Sequence, residues 1–191
     1  MPHMKTKHLV VLSAFFLFSN YSAAEGISHY ASPDDGILKF SDDGRAATIR
    51  VLAKNEHTHG HFSAMEHLMP AGYDGPGMHV HHKIVQSLYV VSGKVYVRLR
   101  EGGQEREVLL TPGAFLAIAP GTPHTFRNPF DEDVKVLGID GPGDLAPMFE
   151  EMAAIEPSAT KEDRALKLFA IRKQKYDNHF EPTENRIPED L

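Results

Sequence analysis

The sequence predicts an all-β fold, a sandwich or jelly roll, followed by a helical extension. Three observations carry this. From about Ile37 to Gly141 the chain breaks into short β-rich runs punctuated by Gly and Pro. No helix-period segment separates those runs, which argues against alternating strand–helix units. The run Val95-Tyr96-Val97-Arg98-Leu99-Arg100 alternates apolar with polar residues, the pattern of a strand with one buried face.

In order, strands are predicted at Ile37–Phe40, Ala47–Leu52, Phe62–Met69, Ser87–Val91, Lys94–Arg100, Glu105–Leu110, Ala114–Ile118, His124–Arg127 and Val134–Gly138. Asp42-Asp43-Gly44, Val91-Ser92-Gly93-Lys94 and Gly102-Gly103 read as hairpin turns, because glycine accepts a positive φ without a steric penalty. After Gly143 the composition changes. Leu145–Ile155 and Lys161–Tyr176 have helical spacing, parted by Pro157-Ser158, with Thr160 and Asp163 placed as a capping box. Glu181 to Leu191 is charged and Pro-broken. The helical segment suits packing on the barrel or covering a sheet edge against a second copy, so a homodimer is an expectation.

Residues 1–24 read as an address. Lys5 and Lys7 precede the apolar run Leu9–Phe18, and Ser22-Ala23-Ala24 offers a small-residue exit, so a secretory signal peptide cleaved near Ala24 is expected. That run is about half the ~20 residues a membrane span needs. Cleavage leaves 18 basic against 26 acidic residues, an exported acidic product, periplasmic or secreted. With no basic block, nucleic acid is not an expected partner. The chain has no cysteine, which removes disulfides, thiolate metal sites and cysteine nucleophiles together.

Twelve histidines remain to be explained. His79-Val80-His81 places two imidazoles on one face if extended, about 6.6–6.8 Å apart at the backbone, where both can reach one ion. His124 follows the turn Pro120-Gly121-Thr122-Pro123, which aims it back into the barrel as a third ligand. Imidazole with oxygen ligands suits one divalent transition metal, Fe, Ni, Cu, Mn, Co or Zn. The plain alternative is three satisfied barrel histidines without metal. His57, His59 and His61 would line one face of an extended segment and form an accessory metal site, or simply a solvated loop. Glu66 and His67 lie on the strand leading into the histidine pair, where Glu66 is either an added carboxylate for the site or an ordinary cross-strand charge.

These motifs resemble those of the cupin superfamily. The first cupin motif runs Gly, His-x-His, three or four residues, Glu, six residues, Gly; this chain has Gly72 and Gly75, His79-x-His81, Gln86 and Gly93. The second is Gly, five residues, Pro-x-Gly, two residues, His, three residues, Asn; here Gly113, Gly121, His124 and Asn128 keep the register, with Ala119 at the proline position. The resemblance implies a double-stranded β-helix, a jelly-roll barrel, over residues 25–143, with 144–191 as a helical extension and tail. It implies metal ligands at His79, His81, Gln86 and His124. Gln86 departs from the family glutamate: an amide oxygen coordinates, but it is neutral and cannot act as a base near neutral pH. Leu88 and Val90 alternate with Gln86, and Phe126 with His124, as core or substrate-pocket wall.

Met65-Glu66, Pro70-x-Gly72 and Pro123-His124-Thr125-Phe126-Arg127-Asn128 are similar to quercetinase-type dioxygenases. That implies oxygen-dependent ring cleavage of a flavonol-like or other aromatic enol, with an anionic or aromatic small molecule as ligand. Whether the chain is an enzyme stays open, as do a non-catalytic ligand-binding barrel and a periplasmic metal-handling protein. No catalytic base can be assigned.

Overall fold

The computed structural model describes residues 28–42, 45–155, 160–172 and 176–180. The expected signal peptide, the Asp42-Asp43-Gly44 turn beyond Asp42, the Pro157-Ser158 break and the charged C-terminal stretch lie outside the described residues.

Among the described residues eleven strands and two α-helices follow one another: β1 Ile37–Asp42, β2 Arg45–Ala53, β3 Ser63–Met69, β4 His79–Val80, β5 Val85–Ser92, β6 Val95–Glu101, β7 Gln104–Leu110, β8 Phe115–Ile118, β9 His124–Arg127, β10 Val134–Gly141, α1 Ala146–Ala153, α2 Lys161–Ala170 and β11 His179–Phe180. All pairings are antiparallel. One sheet runs β1-β2-β3-β10-β5-β8 and the other β11-β4-β9-β6-β7, the two faces of a jelly-roll barrel. Each expected strand is present. Two short ones, β4 and β11, are additional, and β10 runs on to Gly141 because it pairs with β3 on one side and β5 on the other.

Period-two burial builds the core. Met65 and Met69 of β3, Val95, Val97 and Leu99 of β6, and Val134 and Val136 of β10 point inward and are buried. Gly102 and Gly103 both take positive φ between β6 and β7, as the hairpin reading requires. At the barrel corner Asn128 is wholly buried. Its amide N–H groups donate to the carbonyls of Met69, Pro70 and Glu132, and its Oδ1 accepts from the Phe130 N–H. This motif residue thus ties the loop after β9 to the end of β3.

The first helix is shorter than its sequence pattern suggests. Helix α1 carries Pro147 in its first turn and buries Met148 and Met152 against the barrel. Helix α2 begins as predicted, with the Thr160 hydroxyl accepting from the Asp163 N–H at 3.1 Å. Its α-helical part runs to Ala170, residues 171 and 172 continue it as a π turn, and the chain reaches β4 again by Asp177. Among the described residues no helix is long and apolar enough to cross a membrane.

Candidate metal centre

The two motifs meet because their backbones pair. His79 of β4 lies directly opposite His124 of β9. The Gly121 N–H, in the turn before β9, donates to the carbonyl of His81 at 2.7 Å. Gly75, at a positive φ of 76°, lets the loop before β4 pass against β9; a Cβ there would collide with the Phe126 carbonyl oxygen.

His79, His81 and His124 are buried and present one nitrogen each within 4.8 Å of one another. Each ring is oriented through its other nitrogen: Nδ1 of His79 donates to the Gly77 carbonyl at 2.9 Å, Nδ1 of His124 to the Thr122 carbonyl at 2.9 Å, and Nδ1 of His81 to the Asp177 carbonyl. A carbonyl only accepts, so these contacts place the proton on Nδ1 and leave Nε2 as a bare lone pair whenever the ring is neutral. Burial keeps the rings neutral. It pushes His124 down to about 4, takes His79 well below its ordinary value with repulsion from the other two rings adding to the effect, and lowers His81.

Gln86 completes the cluster. Its Oε1 stands 2.8 Å from Nε2 of His124. A neutral His124 has no proton there to give, so two lone pairs face each other, and Nε2 of His81 is buried without any hydrogen-bond partner. Inward electron pairs on three imidazoles and an amide oxygen are the donor set of a cation site. The residues fit one divalent transition-metal ion, held by His79, His81 and His124 with Gln86 beside them.

Behind Gln86 the sequence had given no signal. Asp140 of β10 pairs directly with Gln86 of β5, and both are buried. Burial raises the Asp140 carboxyl to about 7, against the opposing pull of the Gln86 amide. No hydrogen bond of ordinary geometry closes on either Asp140 oxygen. A carboxylate at position 86 would face this second carboxyl across the sheet, and like charges so close disfavour joint ionisation. That juxtaposition is a physical reason for an amide at 86.

His79, His81 and Gln86 face a pocket of about 560 Å³ counted with its mouth. Met69, Phe126, Leu145, Met148 and Phe149 supply apolar walls. His67, Arg172 and Asn178 supply polar ones. Arg172 carries a positive charge close enough to depress His79 further. The C-terminal segment therefore belongs to the site: α1 walls it, and Asp177 clamps the first motif. Its carboxylate accepts the N–H groups of His82 at 3.0 Å and Lys83 at 2.6 Å, while its carbonyl orients His81.

Phe126 lines the pocket, whereas Leu88 and Val90 pack in the core cluster and are not among its lining residues. Glu66 points outward and pairs with Arg50 at 2.8 Å, an ordinary cross-strand charge. The expected extended His57-x-His59-x-His61 face does not form. Asn55–Thr58 is a 3-10 turn, His59 takes a φ of +53°, and His57 stacks on His29 with ring centres 3.6 Å apart. Among the described residues the barrel trio is the single cluster whose ligand atoms converge. His82 is exposed and lies against His179 instead.

A two-sheet barrel with an inward three-histidine cluster defines a class, the small metal-site jelly rolls. Residues 64–140, within the barrel, match the family model described as the cupin domain. No curated protein sequence matches significantly. Among solved structures, a predicted oxalate decarboxylase from Thermotoga maritima superposes with a TM-score of 0.52 at 17% identity, covering 59% of this chain and 96% of that one. Fe(II)-HppE with an alternative substrate superposes with a TM-score of 0.50 at 17% identity, covering 62% of each chain. The chain thus spans under two thirds of the length of Fe(II)-HppE, and at these identities the likeness is one of fold.

Proposed function

We propose that this barrel is an exported, metal-dependent dioxygenase that binds a small anionic enol or catechol-type ligand, flavonol-like or otherwise aromatic. The observation that carries the reading is the convergence of three neutral imidazoles and the Gln86 oxygen, with His79, His81 and Gln86 facing a pocket whose other walls are mostly apolar. A divalent ion on these donors keeps its full charge, and when bound it supplies chelation and Lewis-acid stabilisation of a ligand oxyanion. Arg172 adds a second positive charge at the same pocket. The apolar walls exclude water and take up an aromatic body. Export is supported by the basic start and the ten-residue apolar run Leu9–Phe18.

An oxygen electrode tests this with the metal-loaded protein and a panel of flavonols and catechols. Oxygen uptake matched to loss of one substrate supports the proposal. Tight ligand binding with the ligand recovered intact and no oxygen uptake supports the second reading, a non-catalytic binding barrel. One observation favours that alternative: Gln86, the amide beside the trio, has no proton-accepting form near neutral pH.

A further inference from the structure

One pocket residue is unexplained by the metal centre. His67 of β3 is 6% exposed, and its Nε2 is buried with no hydrogen-bond partner. Its neighbours are apolar: Ile49 and Val136 lie opposite it on β2 and β10, and Phe149 meets its ring edge-on at 5.7 Å. The adjacent inward positions of the strand are Met65 and Met69, so a purely packing role calls for another apolar side chain. The barrel also makes room for this ring. Gly138, in the middle of β10, has no side chain, and a Cβ there would stand 3.0 Å from Nε2 of His67. A glycine inside a central strand weakens it and marks a close approach.

Burial holds His67 near 4, so the ring is neutral and offers one hydrogen-bonding nitrogen without charge. Gly138 pairs with Leu88, one strand over and two residues along from Gln86. By ordinary strand spacings that puts Nε2 of His67 roughly 8 Å from the Gln86 strand position, about one aromatic ring away from the metal-bound end of a ligand.

We infer that His67 is the specificity-determining residue of this pocket, its Nε2 hydrogen-bonding a hydroxyl group at the end of the ligand opposite the chelated oxygens. The inference rests on the chelating-ligand reading above and narrows it. The ligand has a chelating oxygen pair, an apolar ring and a polar group beyond the ring. An analogue lacking that group leaves a buried nitrogen unpaired and is rejected.

Two catechols of equal length test this: 3,4-dihydroxybenzyl alcohol, and 4-ethylcatechol, which carries a methyl group in place of the hydroxyl. Their dissociation constants are measured calorimetrically on the full chain loaded with Ni(II), as wild type, His67→Leu and His67→Met. Comparing the alcohol-to-ethyl ratio between proteins cancels intrinsic differences between the catechols. The wild type is expected to favour the alcohol by about tenfold more than either variant does, the scale of one buried hydrogen bond. Equal ratios, with Ni(II) and 4-ethylcatechol still bound, overturn the role of His67 and leave the chelating reading standing. Failure of nickel-loaded wild type to bind either catechol overturns both. A measurement on wild type alone covers the case in which the variants do not fold. In the Zn(II) protein the ¹⁵N signal of His67 Nε2 moves with the alcohol and not with 4-ethylcatechol, and identical spectra with the two overturn the inference.

Discussion

The clamp on the first motif comes from a residue nearly a hundred positions away, which makes metal affinity sensitive to a side chain that touches no metal ligand's inward nitrogen. Asp177→Ala removes the carboxylate that accepts the His82 and Lys83 backbone N–H groups. Hydrogen bonds to a charged partner contribute about 1.5–3 kcal/mol each. The Asp177 side chain is 15% exposed, so the lower end applies, and the pair contributes about 3 kcal/mol to holding this segment in place. The segment's own carbonyl fixes the ring of His81, so loosening it frees that ligand to turn. Loss of an outer partner of a metal-bound imidazole typically costs about 10–100-fold in affinity. The assay is chelator competition for Co(II) on the purified protein, with Glu101→Ala as control. Glu101 pairs with Arg106 on the exposed β6–β7 hairpin, and its loss leaves metal affinity unchanged. Equal metal affinity in Asp177→Ala and wild type would refute the view that the C-terminal segment positions His81.

Three further outcomes follow from the same geometry. Burial holds His67 and His124 near 4, below the ~6.5 of an unfolded chain, so between those values the unfolded state binds more protons. Stability of the metal-free protein therefore falls as pH drops from about 6.5 to about 4, by up to about 3 kcal/mol for each ring. Urea titrations across this window check it, and His67→Leu shows a shallower slope. Asp140 has the opposite sign. Its carboxyl is raised to about 7, so the native state holds the extra proton between about 4 and 7 and stability is lost as pH rises through that range. Asp140→Asn is expected to stabilise the metal-free protein at pH 8 by a few kcal/mol, read from urea midpoints, and to do nothing of the kind at pH 4. Gly75→Ala is expected to destabilise by about 2 kcal/mol or more, since a left-handed φ and a backbone collision coincide there; an unchanged melting temperature contradicts that.

Gln86→Glu joins the metal centre to the carboxyl behind it. The new carboxylate faces Asp140 across the β5–β10 pair, so one of the two keeps its proton. The variant is expected to retain metal and, if the dioxygenase proposal holds, to raise turnover by supplying a base at the metal. Potentiometric titration detects the retained proton, and loss of metal from the variant runs against this arrangement.

How much of this was legible in the sequence differs between barrel and pocket. Strands such as Val95–Glu101 announce themselves, because one face is buried and alternation follows. The trio was legible because fixed offsets from glycines and prolines carried it. Strand β4 was not, since two residues held by pairing with His124 and with β11 have no periodicity to read. His67 hid in plain alternation between Met65 and Met69, where the pattern says core. Asp140 was missed because Gly138 looks like the end of a strand, whereas pairing on both sides carries β10 three residues further. Asp177 and Asn178 join the site only through tertiary return of the chain, which no local pattern encodes. The His57 run misled for the reverse reason: the spacing was real, but the 3-10 turn removes the shared face.

X-ray absorption at the metal edge, with elemental analysis of the same sample, tests the central claim most directly. One ion per chain with a first shell of three imidazole nitrogens at about 2.0–2.2 Å, losing one nitrogen in His81→Ala, is the result this structure predicts. A chain that takes up no divalent metal, or holds it with its imidazole shell intact in His81→Ala, contradicts it.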